Sequence, residues 1–269
     1  MLNFMRKPIL LVGFLFIFFN TVRSQDLEVG LTGDGMYYLG DLNPGTHFLN
    51  TQVAYGLLVR YNIDTRWAVK LSGTHGNVKG DAAGSAFLPD RGLSFSSQLT
   101  DVSAVAEFNF MPYFTGSRRD RISPYIYAGF SVFFYEPVSN GISLRDMGTE
   151  GQNVGYQGRT PYASYNFSIP FGIGAKFSLA SRLGIQVYWE MHKTFTDYLD
   201  DVSTTYYLDG RSIAPNNQAE VMSDPTMNHE PGMQRGNAKN NDWYAMVGLS
   251  VTYKFNLLSS KKCRDLNHH

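Results

Sequence analysis

The sequence predicts an all-β protein: a single transmembrane antiparallel β-barrel of about eight strands, with short turns at one end and long loops at the other. Three observations carry that expectation. Short runs alternate strictly between apolar and polar residues, the connections between them are by turns short and long, and the chain opens with an export address. Alternation with a period of two places every second side chain on the same face of a strand. A soluble sandwich has no reason to sort its connections by parity.

The address occupies residues 1–24. Arg6 and Lys7 form a positive head, 9–19 an apolar stretch of signal-peptide length, and Val22-Arg23-Ser24 ends in a small residue before Gln25. About 11 apolar residues are too few to cross roughly 30 Å of hydrocarbon, so cleavage is expected rather than an N-terminal membrane helix. No cysteine follows the cut to carry a lipid, and no later stretch is apolar enough for a transmembrane helix. The barrel is expected over 25–255, with a periplasmic tail over 256–269.

Strands are expected at 27–35, 51–62, 67–74, 99–111, 125–135, 165–178, 183–192 and 243–255. The last is the clearest: Trp243, Ala245, Val247, Leu249, Val251, Tyr253 and Phe255 share one face, closed by aromatics at both ends. Comparable uncharged faces run through Val53 to Tyr61, Val102 to Phe110, Phe167 to Phe177 and Leu183 to Met191. Tyr61, Trp67, Phe108, Phe110, Phe177, Tyr253 and Phe255 fall at the ends expected in the periplasm. Trp189 and Trp243 lie toward the outer ends, completing two interfacial girdles. Tight links at 63–65 and 180–181 and a moderate one at 116–122 alternate with long excursions at 36–50, 75–98, 136–164 and 193–242.

The opposite faces carry the charges Glu28, Arg60, Lys70, Glu107, Lys176, Glu190, His192 and Lys254. A lumen of about eight strands is barely wide enough for side chains, so these groups are expected to pair and fill it rather than line a pore. Pro170 lies on the same face, and its missing N–H suggests a bulge or bend.

Composition is compatible with a barrel and excludes some classes of function. The 269 residues are 43% hydrophobic and 14% aromatic, with 26 glycines and a mean hydropathy of -0.23, an average that dilutes lipid-facing residues with lumen and loop. Lys and Arg total 23 against 23 Asp and Glu, which leaves no basic excess for nucleic acid. No metal-ligand spacing, nucleophile elbow or cofactor motif is present, so neither a cofactor nor a small-molecule substrate is expected. An enzyme acting from the outer loops through His47, Asp197 and Ser203 has no supporting spacing, and a structural or adhesive small barrel stays open as an alternative. The acids of 196–206 lack the glycine-centred geometry of a calcium loop and read as turn caps.

Several segments resemble a known family. They are Leu39-Gly40-Asp41-Leu42-Asn43, Leu93-Ser94-Phe95, Glu107-Phe108-Asn109-Phe110, Thr149-Glu150-Gly151-Gln152, Ile169-Pro170-Phe171-Gly172-Ile173-Gly174 and, most specific, Thr196-Asp197-Tyr198-Leu199-Asp200-Asp201-Val202-Ser203-Thr204-Thr205-Tyr206. Together they resemble the PorG-like outer-membrane proteins of Bacteroidetes. The resemblance implies a non-enzymatic component of the type IX secretion machinery, which also underlies gliding motility in many of these bacteria. It implies outer-membrane lipid and a periplasmic ring of PorK and PorN type as partners, and marks Asp197, Tyr198, Asp200 and Asp201 as a family loop.

The periplasmic rim is expected to be basic. Arg118, Arg119 and Arg121 lie in the moderate link, and Lys261, Lys262 and Arg264 lie in the tail beside the sole cysteine, Cys263. Such a patch suits docking to an acidic face. Without an internal partner, Cys263 is left as a free thiol, a buried thiol or one half of a bond to another subunit.

Overall fold

The computed structural model describes residues 26–82, 89–207 and 218–256. Eight long strands form an up-and-down meander: β1 (Asp26–Leu39), β2 (Gln52–Asn62), β3 (Trp67–Asp81), β4 (Ser94–Asn109), β5 (Ile122–Ser139), β6 (Tyr165–Ser178), β7 (Leu183–Thr194) and β8 (Trp243–Asn256). Each pairs antiparallel with the next, and β1 pairs with β8 from Asp26 opposite Asn256 to Leu39 opposite Trp243. The sheet is therefore a closed barrel without an edge. Among the described residues no helix is long and apolar enough to cross a membrane.

Alternation sets the two faces. Val53 is 83% exposed and Phe130 75%, and Leu31, Leu57, Leu71, Phe167, Ile173 and Leu249 stand out from the same wall. An apolar band of this extent is a lipid-facing surface, not a soluble one. Ring contacts between Trp67 and Phe108, Phe108 and Phe110, and Tyr253 and Phe255 form a girdle at one end. Phe171, Trp243 and Trp189 stand toward the other.

The connections sort by parity. Residues 63–66, 110–121 and 179–182 join strands at the end where the described chain begins and finishes, and 40–51, 82–93, 140–164 and 195–242 join them at the other. Local chemistry builds the short turns. Asp64 Oδ1 accepts from the backbone N–H groups of Arg66 and Trp67, a side chain mimicking a turn. Gly116, at φ 96°, lies so close to the next turn that a Cβ would sit 2.2 Å from the Ser181 carbonyl oxygen.

Strands β3, β4 and β5 run further than the expected 67–74, 99–111 and 125–135. The outward face of β3 and β4 turns polar at His75, which bonds Thr100 and Gln98, so the apolar signal stops there. The inward face continues through Val78, Phe95, Leu99, Phe133 and Tyr135, all buried. These strands project beyond the apolar band, and part of the expected 75–98 and 136–164 loops is sheet.

Pro170 produces no bulge. The β5–β6 register is the same on both sides of it, Ala128 opposite Phe171 and Ser131 opposite Ser168, with only the positions between left out of the ladder. The missing N–H removes a bond without inserting a residue.

The interior has two levels. Toward the short turns it is charged and aromatic, and three of its tyrosines sit opposite glycines of the adjoining strand: Tyr125 opposite Gly174, Tyr127 opposite Gly172 and Tyr188 opposite Gly248. A Cβ on Gly174 would lie 2.6 Å from the Tyr125 ring, so the glycine makes the room that the ring fills. Toward the long loops the inward positions Met36, Tyr38, Phe95, Leu99, Phe133, Tyr244 and Met246 form an apolar core with Leu42, Leu144, Leu199 and Val202 from the loops.

Candidate functional site

The charged level is one bonded network. Arg60 on β2 donates to Glu28 on β1 at 2.9 Å, to Glu107 on β4 at 2.7 Å and to Gln186 on β7 at 2.6 Å. Lys176 on β6 donates to the same Glu107 oxygen at 2.6 Å. Higher up, Lys70 lies 3.7 Å from Glu190 and over the Tyr127 ring, and Glu190 meets His192 at 2.7 Å. His192 stacks on Tyr244 and lies 3.8 Å from Asp101. Lys254 stands apart, 3.8 Å from Asp26 and over the Phe114 ring near the short-turn end. All eight charged residues singled out in the sequence point inward and are buried. Sequence reasoning passed over their neutral and acidic partners Asp34, Asp101, Gln186 and Tyr188, although alternation assigns each the same face. Opposed charges and rings at these distances fill a barrel this narrow.

The apolar level is closed from above by the segment around Leu199 and Val202, both buried. The two residues between them hold it. Asp200 accepts from Tyr38 at 2.5 Å and from the Val202 N–H at 2.9 Å. Asp201, at φ 64°, accepts from Tyr162 at 2.7 Å and from Thr149. Asp242 joins through Tyr38 and the Leu199 N–H. Tyr198 stacks on Tyr162, with ring centroids 4.7 Å apart. These acids are internal braces of a stopper, which extends their reading as turn caps: Asp200 does cap a turn through the Val202 N–H, but Leu199 and Val202, on either side of the acid pair, are buried and carry both acids inward.

The other long connections are tied to that stopper. Glu150 accepts from the N–H groups of Ser203 and Thr204, from the Thr204 hydroxyl at 2.5 Å and from Arg235 at 3.1 Å. Arg235 is buried and also lies 3.7 Å from Asp201. Arg91 donates to the carbonyl oxygens of Arg235 and Asp41, so all four long connections meet in one cap.

Burial raises several carboxyls of the cap, and neighbouring acids raise them further. Asp197 is pushed up to about 9 by burial, with Asp200, Asp41 and Glu150 nearby. Asp200 is pushed up to about 8 by burial and Asp41. Asp201 rises to about 6, because Arg235 and two hydroxyl donors offset much of its burial. Asp242 is also raised, by burial and then by Asp200. Among the described residues no three His, Cys, Asp or Glu side chains converge as metal ligands. His47 bonds Tyr37 while the Ser203 N–H serves Glu150, each within its own packing.

At the short-turn rim Arg118, Arg119 and Arg121 are exposed and form no ion pair among the described residues. Lys261, Lys262, Cys263 and Arg264 lie outside the described residues, as do the expected signal peptide 1–24 and the tail beyond Asn256.

Comparison with known proteins gives a family and a set of distant barrels. A family model described as a domain of unknown function, DUF6089, matches residues 7–208. No curated protein matches the chain. Among solved structures it is similar to Ail, the attachment invasion locus protein of Yersinia pestis, at 10% identity and a TM-score of 0.43, covering 86% of this chain and 99% of that one. It is similar to the N-terminal barrel domain of Pseudomonas aeruginosa OprF at 13% identity and a TM-score of 0.40, covering 85% and 97%. Neisserial surface protein A matches at 10% identity and a TM-score of 0.43, again over 85% and 97%. Likenesses this remote carry no functional argument.

Proposed function

From the premise that this chain belongs to the DUF6089 family, we propose that it is a non-enzymatic outer-membrane barrel that anchors or stabilises a periplasmic ring of PorK and PorN type in type IX secretion, and in gliding where that occurs. The observation that carries the reading is the sealed lumen. With Arg60, Glu107 and Lys176 bonded across one level and Leu199 and Val202 seated in the other, work is left to the two ends of the barrel.

The short turns face the periplasm on this reading, and the long loops face the medium, as in single-chain barrels of this kind. The free rim charges of Arg118, Arg119 and Arg121 then suit an acidic partner. The tail with Lys261, Lys262 and Arg264 would extend that rim, and Cys263 would supply a thiol for a disulfide to a ring subunit.

Affinity purification from solubilised outer membranes tests the reading. Wild-type protein is expected to bring down periplasmic ring subunits, and charge reversal of Arg118, Arg119 and Arg121 together to lose them while the barrel stays folded. Purification without periplasmic partners under crosslinking overturns the proposal. The knit cap favours a second reading, a structural or adhesive barrel, which predicts capture of surface ligands and indifference to the rim arginines.

A further inference from the structure

Two cavities meet at one side chain of β7. The larger, about 780 Å³, lies where the 40–51 and 195–242 connections reach the wall, and Arg91, Lys193 and Lys239 bring cations to it against one carboxylate, Asp41. Arg235 also reaches this cleft but is bound to Glu150. The smaller, about 310 Å³, is an apolar groove on the lipid-facing wall between Ile126, Phe171, Ile173 and Trp189. Met191 lines both.

The strand register places one below the other. Lys193 pairs with Trp243, and Met191, two residues nearer the middle of β7, pairs with Ala245 and Phe171. Two residues of strand span roughly 7 Å. A lysine 5.8 Å from the Trp243 ring, just above an aromatic belt, stands at headgroup depth, and the groove beneath stands among acyl chains.

Arg91 says what the cleft lacks. It is 5% exposed, and among the described residues no carboxylate lies within 4.0 Å of its nitrogens and its Nε has no acceptor. Its hydrogen bonds go to the carbonyl oxygens of Arg235 and Asp41, while the Asp41 carboxylate accepts from the Asn237 N–H. A buried guanidinium without a contacting anion is costly, and an anion in the cleft relieves it.

We propose that the two cavities together bind one anionic glycolipid of the outer leaflet, its phosphorylated sugar headgroup in the cationic cleft and an acyl chain in the groove. The site rests on the membrane placement alone and is independent of any periplasmic ring. A cleft for a soluble sugar phosphate needs no groove continuous with it on the lipid-facing wall.

The test uses the full mature barrel in phosphatidylcholine vesicles containing a minor fraction of bisphosphorylated lipid A, with retained lipid counted by native mass spectrometry. Lys193→Ala with Lys239→Ala, both exposed positions, is expected to weaken retention roughly 30-fold, the product of two surface cations. Met191→Trp, which fills the junction, is expected to reduce it too. Equal retention by wild type and the double variant overturns the proposal, as does equal retention of lipid A stripped of its phosphates. A matching loss in Arg118→Ala with Arg119→Ala on the opposite rim overturns it by showing bulk charge attraction. Binding of soluble glucosamine 1-phosphate as tight as that of the lipid overturns the lipid assignment.

Discussion

Glu107 is the residue on which the charged level turns, since one of its oxygens takes both the Arg60 Nε and the Lys176 ammonium. Removing one member of a buried ion network leaves the other charges uncompensated, which costs more than the intact network contributes. Glu107→Ala is therefore expected to lower stability by about 3–5 kcal/mol. Urea unfolding of the barrel from lipid vesicles, followed by the gel shift between folded and unfolded bands, measures it. An unchanged midpoint would mean that the two cations are neutralised elsewhere. The face of each of these charges was legible in the sequence, because a strand with a period of two leaves it no other. Their pairing was not, since Arg60 finds Glu107 and Gln186 only after three-dimensional closure sets the register. The tyrosine and glycine pairs were hidden for the same reason: Gly174 explains the Tyr125 ring only when the two are known to be opposite.

The stopper between β7 and β8 is an element held by carboxyls whose affinity for protons rises on folding. Asp201, Asp200 and Asp197 stand at about 6, 8 and 9 in the folded cap against about 3.9 in an unfolded chain. A raised folded value means that the folded state binds more protons, so its contribution is complete below the unfolded value and is lost as pH rises through the folded one. The cap should accordingly loosen progressively from about pH 4 to about pH 9, the Asp201 share going first and the Asp197 share last. Hydrogen exchange over 195–207, corrected for the intrinsic pH dependence of amide exchange, is expected to be slower at the acidic end of that window. Asp200→Asn should flatten the profile, and a cap equally protected throughout would contradict the assignment. The strands beneath it were readable wherever lipid imposes an apolar outer face. They became unreadable where His75, Asn77 and Lys79 stand outside the band, although the inner face keeps its pattern through Val78. The stopper escaped for a different reason: its acids dominate the local sequence, and only Leu199 and Val202 signal that the segment is buried.

For the whole molecule, two stacked seals predict an electrically silent barrel. Purified protein in planar bilayers should give no stable open channel, and a steady porin-like conductance would require the network and the stopper to part together. Closure itself has a further consequence, for the order of assembly. Arg60 draws partners from β1, β4 and β7, strands spread around the circumference, and Lys176 reaches from β6 to β4. A half-built sheet inserted in the bilayer would hold naked cations against hydrocarbon, with their counterions still on strands yet to arrive. Biogenesis is thereby made all-or-none: the final zippering of β1 to β8 discharges the interior, and a chain stalled before that step has no comfortable place in the membrane to wait.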